Sequence, residues 1–183
     1  MILAFTGAGI SAESGIPTFA EQPGIRNILT RSYADAHPKE FNETIRKMQE
    51  TCEAAEPNDA HYALAEYDVP IITMNVDGLH QRAGSKHVLA IHGEFPNVVL
   101  YDDPAPRYNT ARDWVWHMDK GDALLVVGTS FYTRISVELK TMALRAGADI
   151  YLIEKNASTE VRKYLSRVQT VPCTFEEFLR RFS

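Results

Sequence analysis

Two glycines follow a short apolar run near the start of the chain. The segment from Gly7 to Ala12 reads GAGISA and fits the pattern G-x-G-x-x-G/A between a predicted strand and a helix. Glycines let a backbone approach a pyrophosphate, and the N–H groups at a helix N-terminus favour its negative charge. The segment therefore predicts a dinucleotide phosphate site, although a simple tight turn would show the same spacing.

An amide, a carboxylate and an imidazole follow a second apolar run. Asn75, Asp77 and His80 come directly after the predicted strand Pro70–Thr73. In open α/β sheets, ligands bind at the carboxyl ends of the strands, so these side chains are candidate site residues. Asn and Asp also form turns by bonding to their own backbone, and that interpretation stays open.

A histidine ends a third predicted strand, where the sequence runs through Ile91, His92 and Gly93. An imidazole with an ordinary pKa of about 6.5 exchanges protons at neutral pH, so His92 is a candidate general base. A hydrogen-bonded structural histidine is the alternative. Two further strands end in ligand-type residues: Gly128, Thr129 and Ser130 suit a phosphate or ribose, and Glu154 can accept both hydroxyls of a ribose.

Short apolar strands alternate with helical stretches along the whole chain. This pattern predicts an α/β fold, a Rossmann-like parallel sheet with helices on both faces, in a single domain over residues 1–183. If this sheet forms, the candidate residues converge on one crevice. The predicted strands are Ile2–Thr6, Pro70–Thr73, Val88–Ile91, Val98–Leu100, Ala123–Val127 and Asp149–Ile153.

Polar residues that can cap free N–H groups mark several helix starts. Asn58 and Ser158 precede apolar-periodic runs, and Thr174 with Glu177 forms a predicted capping box. Residues 19–56 form the longest interval between predicted strands and contain the amphipathic stretch Pro38–Glu56. We expect this interval to be a small helical insertion or lid.

The composition favours a small dissolved ligand. The net charge is −5, with 19 basic and 24 acidic residues and no Lys/Arg run, which argues against a nucleic-acid or anionic-membrane surface. No apolar run approaches membrane length. Cys52 and Cys173 lie far apart without a C-x-x-C pair, so we expect a cytoplasmic protein with no four-cysteine zinc site. Nothing in the sequence indicates an oligomeric state.

Several of these segments together resemble the motifs of the sirtuins. The two main ones are GAGISAESGIPTF, from Gly7 to Phe19, and NVDGLH, from Asn75 to His80. The IHG at Ile91, the VVLYDD that begins at Val98 and the LLVVGTS that ends at Ser130 are similar to later sirtuin motifs, in the same order. The resemblance spans residues 2–154.

The resemblance implies a Rossmann-like domain that binds NAD. It implies a phosphate site formed by Gly7, Ala8, Gly9 and Ser11, with Ser130 near the adenosine. It further implies that Asn75 holds the nicotinamide ribose and a water, Asp77 grips the carboxamide, Phe19 shields the site after nicotinamide leaves, and His92 is the general base. In the family, the acyl-lysine oxygen attacks the ribose carbon as nicotinamide departs, giving deacylated lysine and O-acyl-ADP-ribose.

Three departures from the family pattern are evident. The sirtuins place four zinc-binding cysteines between their His-Gly and the following VV strand, whereas His92-Gly93 here is followed almost at once by Val98, so no metal is expected. The pattern GIPTFR ends in Ala20, unless Arg26 reaches back to replace the missing arginine. The usual Gln before the catalytic Asn is Met74.

These observations favour an NAD-dependent deacylase of the sirtuin type that acts on an acyl-lysine protein or peptide. The first alternative is an NAD glycohydrolase or ADP-ribosyltransferase, suggested by the missing zinc module. The second is a non-catalytic sensor of NAD or ADP-ribose, suggested by Ala20 and Met74.

Overall fold

Five parallel strands form the central sheet. The computed structural model of the protein describes residues 1–22, 24–131, 133–168 and 174–182. The strand order in the sheet is β3-β2-β1-β6-β7, and β4 and β5 pair separately as a short antiparallel hairpin. The fold class predicted from the sequence is confirmed. The strands are β1 Ile2–Thr6, β2 Ile71–Thr73, β3 Val88–Ala90, β4 Gly93–Glu94, β5 Asn97–Val98, β6 Ala123–Val127 and β7 Asp149–Ile153.

Helices connect the strands and cover both faces of the sheet. The α-helices are α1 Ile25–Ile28, α2 Arg31–Ala36, α3 Pro38–Ala54, α4 Asp59–Glu66, α5 Leu79–Arg82, α6 Arg107–Trp116, α7 Arg134–Ala146, α8 Ala157–Arg167 and α9 Phe175–Leu179. Two 3₁₀ helices span Ala8–Ser14 and Arg180–Phe182. The first of them takes the place of the α-helix expected after the glycine pattern.

The predicted caps hold at two helices and fail at one. The Asn58 side chain accepts from the Ala60 N–H at the start of α4, and Thr174 with Glu177 forms the capping box of α9. The prediction for Ser158 was wrong, because Asn156 is the residue before α8. Asn156 adopts φ +53, a left-handed conformation that Asn tolerates. The helix α8 begins at the next residue, Ala157, and not after Ser158.

Alternate residues of the buried strands point to opposite sides of the sheet. In β1, Leu3 and Phe5 pack with α6, α7 and α9 on one face, while Ile2 and Ala4 pack with α4 and α8 on the other. All five residues of β1 are buried. A strand covered on both faces reads as a continuous apolar run, which is why this one was predicted to the residue.

The predicted strand Val98–Leu100 is wrong as a member of the central sheet. Only Val98 is in a strand, β5, where it pairs with Gly93 of β4 in antiparallel register. A parallel crossover needs a dozen or more residues, and the few between β4 and β5 allow only a hairpin.

Three helices, α1, α2 and α3, lie between the first 3₁₀ helix and α4, and we call the segment 25–54 that contains them the lid. The lid is tied to the segment after the hairpin. The Tyr101 N–H donates to the Leu29 carbonyl at 3.0 Å, and the Arg31 guanidinium bonds to the Asp103 carboxylate at 2.7 Å. Asp102 accepts from the first N–H groups of α2, among them that of Ser32 at 3.1 Å.

The strand order places a crevice at the carboxyl ends of β1 and β6. The chain leaves β1 towards β2 on one side, and β6 joins β1 on the other, so the connections diverge between them. Ligands of open α/β sheets bind at such a switch point.

Within the described residues, no helix is both long and apolar enough to cross a membrane. Cys52 is buried. Cys173 lies outside the described residues.

Candidate active site

The loops after β1 and β6 touch each other through glycine backbone. The Gly7 N–H donates to the Val127 carbonyl at 3.0 Å, and the Gly9 N–H donates to the Gly128 carbonyl at 2.9 Å. A Cβ on Gly9 would lie 2.6 Å from the Gly128 Cα, and a Cβ on Gly128 would lie 2.3 Å from the Ile10 nitrogen. The contact therefore has no room for side chains. We call the exposed backbone of Gly7, Gly9 and Gly128 the glycine floor.

A cleft of about 680 Å³ lies above this floor. Its size falls within the range of roughly 300–1,000 Å³ that is typical of small-molecule sites. All the predicted site residues except Ser11, Asp77 and His80 line it. They are Gly7, Ala8, Gly9, Phe19, Asn75, His92, Gly128, Thr129, Ser130 and Glu154, joined by residues not predicted, such as Tyr101, Thr133 and Lys155.

Ser11 and Asp77 lie behind the cleft wall and hold Asn75. The buried Ser11 hydroxyl donates to the Asp77 carboxylate at 2.7 Å and accepts from the Asn75 amide at 3.1 Å. Asp77 also accepts from the Leu79 N–H at 3.0 Å, as a turn-forming aspartate does. These bonds fix the orientation of Asn75, which alone of the three lines the cleft.

Two buried histidines extend this polar network away from the cleft. His61 Nε2 lies 3.5 Å from the Ser11 hydroxyl, and His80 Nε2 lies 2.9 Å from the Thr6 hydroxyl. Their ring centroids are 4.9 Å apart. Burial lowers the pKa of both histidines, so both rings are neutral at neutral pH. Sequence reasoning missed His61; its position after the Asn58 cap, in step with the buried Leu64, was the signal.

His92 lies at the border between the cleft and a second, apolar cavity. Both spaces are lined by His92, Phe19, Met74 and Tyr101. The ring centroids of His92 and Tyr101 are 6.0 Å apart, and those of Tyr101 and Phe19 are 6.4 Å apart. Burial lowers the pKa of His92, so its ring is neutral and able to accept a proton at neutral pH.

Arg26 lies beside Phe19, the residue after which the family pattern has an arginine and this chain has Ala20. Its guanidinium carbon lies 5.4 Å from the centroid of the Phe19 ring, and its side chain hydrogen-bonds to Tyr101. Arg26 lines the cleft together with Ala20. A cation from the first turn of the lid therefore stands beside Phe19.

The side chain of Met74 forms an apolar partition. Its sulfur accepts from the Thr133 hydroxyl at 3.5 Å, and its body lines both the cleft and the apolar cavity.

Among the described residues, no group of three or more His, Cys, Asp or Glu side chains has an arrangement that would hold a metal ion.

A doubly covered parallel sheet with a glycine-floored cleft at its switch point defines an α/β protein of the dinucleotide-binding class. Residues 7–98 match the model of the Sir2 family. The chain is 34% identical to NAD-dependent protein deacylase 2 of Archaeoglobus fulgidus, over 81% of this chain and 78% of that protein. It is 32% identical to an NAD-dependent protein deacylase of Aggregatibacter actinomycetemcomitans, over 84% of this chain and 92% of that one. The chain belongs to the Sir2 family.

Solved structures agree on the fold. A crystal structure of a Sir2 homologue with NAD superposes with a TM-score of 0.84 at 23% identity, covering 92% of this chain and 89% of the other. The alignment to the Archaeoglobus protein has 198 positions, more than the 183 residues of this chain. That relative therefore has internal residues without a counterpart here, in agreement with an internal deletion.

Proposed function

We propose that this chain is an NAD-dependent protein-lysine deacylase, which cleaves the nicotinamide–ribose bond and transfers the acyl group to ADP-ribose. The observation that carries the proposal is the position of His92 in the wall shared by the glycine-floored cleft and the apolar cavity. A general base at that border would lie between NAD in the cleft and the acyl-lysine in the cavity.

The cleft suits a dinucleotide. The bare backbone at Gly9 and Gly128 permits the close approach that a pyrophosphate needs, and a Cβ at either position would fill that space. Gly7 and Ala8 would complete the phosphate site. Ser130 and Glu154 line the cleft where β6 and β7 end and would hold the adenosine side. NAD supplies the scissile glycosidic bond.

Each residue near that bond has a defined task. Asn75, fixed by Ser11, would hold the nicotinamide ribose and a water. Asp77, which was expected to grip the carboxamide, lies behind the cleft wall and would act by positioning Ser11 and Asn75. The neutral His92 would accept a proton from a ribose hydroxyl. Phe19 would cover the site and exclude stray water, and fixed polar groups would stabilise the charge that develops as the bond breaks.

The second candidate function is cleavage of NAD without an acyl peptide, as by an NAD glycohydrolase or an ADP-ribosyltransferase. The observation that favours it is the short hairpin of β4 and β5, which stands where the family resemblance places a zinc module. The resemblance implies that this module helps to frame the groove for the acyl peptide, so its absence favours an acceptor other than a peptide.

Product analysis with NAD, with and without an acetyl-lysine peptide, tests the proposal. We expect nicotinamide release that depends on the peptide, with O-acetyl-ADP-ribose formed in equal amount. Peptide-independent release of nicotinamide would support the second candidate instead. Tight binding of NAD by calorimetry with no product under either condition would indicate a sensor.

Replacement of Arg26 is expected to weaken the use of NAD. We expect Arg26, which lines the cleft, to donate a charge-assisted hydrogen bond to NAD. Because such a bond contributes about 1.5–3 kcal/mol, Arg26→Ala should raise the KM for NAD about 10- to 100-fold. Arg46→Ala removes a cation from the exposed side of α3 and serves as the matched control. An unchanged KM in a folded Arg26→Ala protein would show that Arg26 does not replace the missing arginine.

A further inference from the structure

The apolar cavity beside His92 is closed on its far side by the lid. Leu29, Ile45 and Met48 come from the lid, and Phe95, Val99 and Leu100 come from the hairpin and the segment after it. The cavity has a volume of about 50 Å³. A single water needs roughly 10–15 Å³ on this measure, so the cavity has room for a group of a few heavy atoms.

The chemistry of the lining restricts what the cavity can receive. Its described lining contains no Lys, Arg, Asp or Glu side chain, and the polar groups there are the His92 ring and the Tyr101 hydroxyl. An ionised carboxylate buried without a partner is strongly disfavoured, whereas each buried methylene is favourable. An uncharged aliphatic group fits this lining, and an acidic one such as succinyl does not.

Met48 separates the cavity from a larger space. On the other side of its side chain, a groove of about 310 Å³ runs between the lid helices and is lined by Met48, Ile25, Ile28 and Thr51. Met48 is the one residue that lines both spaces in the described part of the chain. It is half-buried and unbranched, so its removal would join cavity and groove without opening the core.

We propose that the cavity selects short, uncharged aliphatic acyl groups on the substrate lysine, and that Met48 sets the limit on their length. The proposal rests on the deacylase function proposed above. It follows from the continuity of the cavity with the cleft at His92, from the uncharged lining and from the position of Met48.

Competition among acyl peptides tests this specificity. With the wild-type chain, acetyl, propionyl and butyryl peptides are expected to react, and a succinyl peptide at least 100-fold less well in kcat/KM. Met48→Ala is expected to raise the ratio of kcat/KM for octanoyl over acetyl peptide at least tenfold, because each additional buried methylene contributes roughly a factor of four. The ratio of the Kd values for the two peptides, measured by calorimetry, should shift in the same direction.

Gln49→Ala is the matched control, since Gln49 is the next residue of α3 and bonds to Glu53 on the helix surface. It should leave the ratio unchanged. Met48→Val provides a milder truncation if the alanine variant melts early. Turnover of the acetyl peptide with an unaltered octanoyl-to-acetyl ratio in both Met48 variants would overturn the role of Met48 alone. No turnover of any acyl peptide by the wild-type chain would overturn the deacylase function itself.

Discussion

His92→Asn should lower kcat for peptide-dependent nicotinamide release by about 10²–10⁴-fold, the usual contribution of a general base. Asparagine keeps a polar side chain at the border between cleft and cavity but accepts no proton at neutral pH. Because the fold does not depend on a charge at this position, the melting temperature should stay close to that of the wild type. His37→Asn, on the exposed surface of the lid, is the control and should keep full activity.

The pH dependence gives an independent check on the same residue. Burial disfavours the charged imidazolium and lowers the pKa of His92, so the base form persists below pH 6.5. We therefore expect kcat/KM to stay level on acidification through pH 6.5 and to fall only below it. An acid limb centred above pH 6.5, or near-normal turnover by His92→Asn, would contradict the assignment.

Gly128→Ala should weaken NAD binding at least 100-fold, measured by calorimetry. A methyl group there would lie 2.3 Å from the Ile10 nitrogen and 2.5 Å from the Gly9 carbonyl carbon, at a φ of +63. The two loops would have to separate, and the backbone floor of the cleft would be lost. The left-handed conformation adds about 1–2 kcal/mol of strain, so the protein should also melt earlier.

Gly147→Ala separates the two causes. Gly147 ends α7 with a φ of +82, and a Cβ there would meet Lys120 only at 3.6 Å, an ordinary contact. It shares the backbone strain without the clash, so it should lower stability and leave the Kd for NAD unchanged. Equal losses of NAD binding in both variants would refute the role of the glycine contact.

The central strands and the cleft were predictable because parallel strands impose a simple geometry. Strands β1, β6 and β7 were predicted to the residue, and their carboxyl ends bring Gly9, Gly128 and Glu154 to one edge. Once the sheet order is known, residues that follow the strands must converge.

The direction of individual side chains was not predictable from the sequence. Ser11 was expected at the phosphates, and its role there remains a prediction, but its hydroxyl faces Asp77 because the 3₁₀ helix turns it inward. The contribution of Arg26 depends on how α1 folds back on Phe19, a tertiary contact without a local signal. His61 likewise meets Ser11 only because α4 packs beneath the glycine loop.

The bonds between the lid and the segment after the hairpin connect the cleft with the apolar cavity. Leu29 and Arg31 are bonded to the backbone of Tyr101 and to Asp103, so a displacement of the lid would strain the segment that carries the Tyr101 ring. That ring borders both the cleft and the apolar cavity. If a ligand in the cleft or in the cavity moves the lid, this connection would pass the change to the other space, and linkage would make the change in affinity equal in both directions.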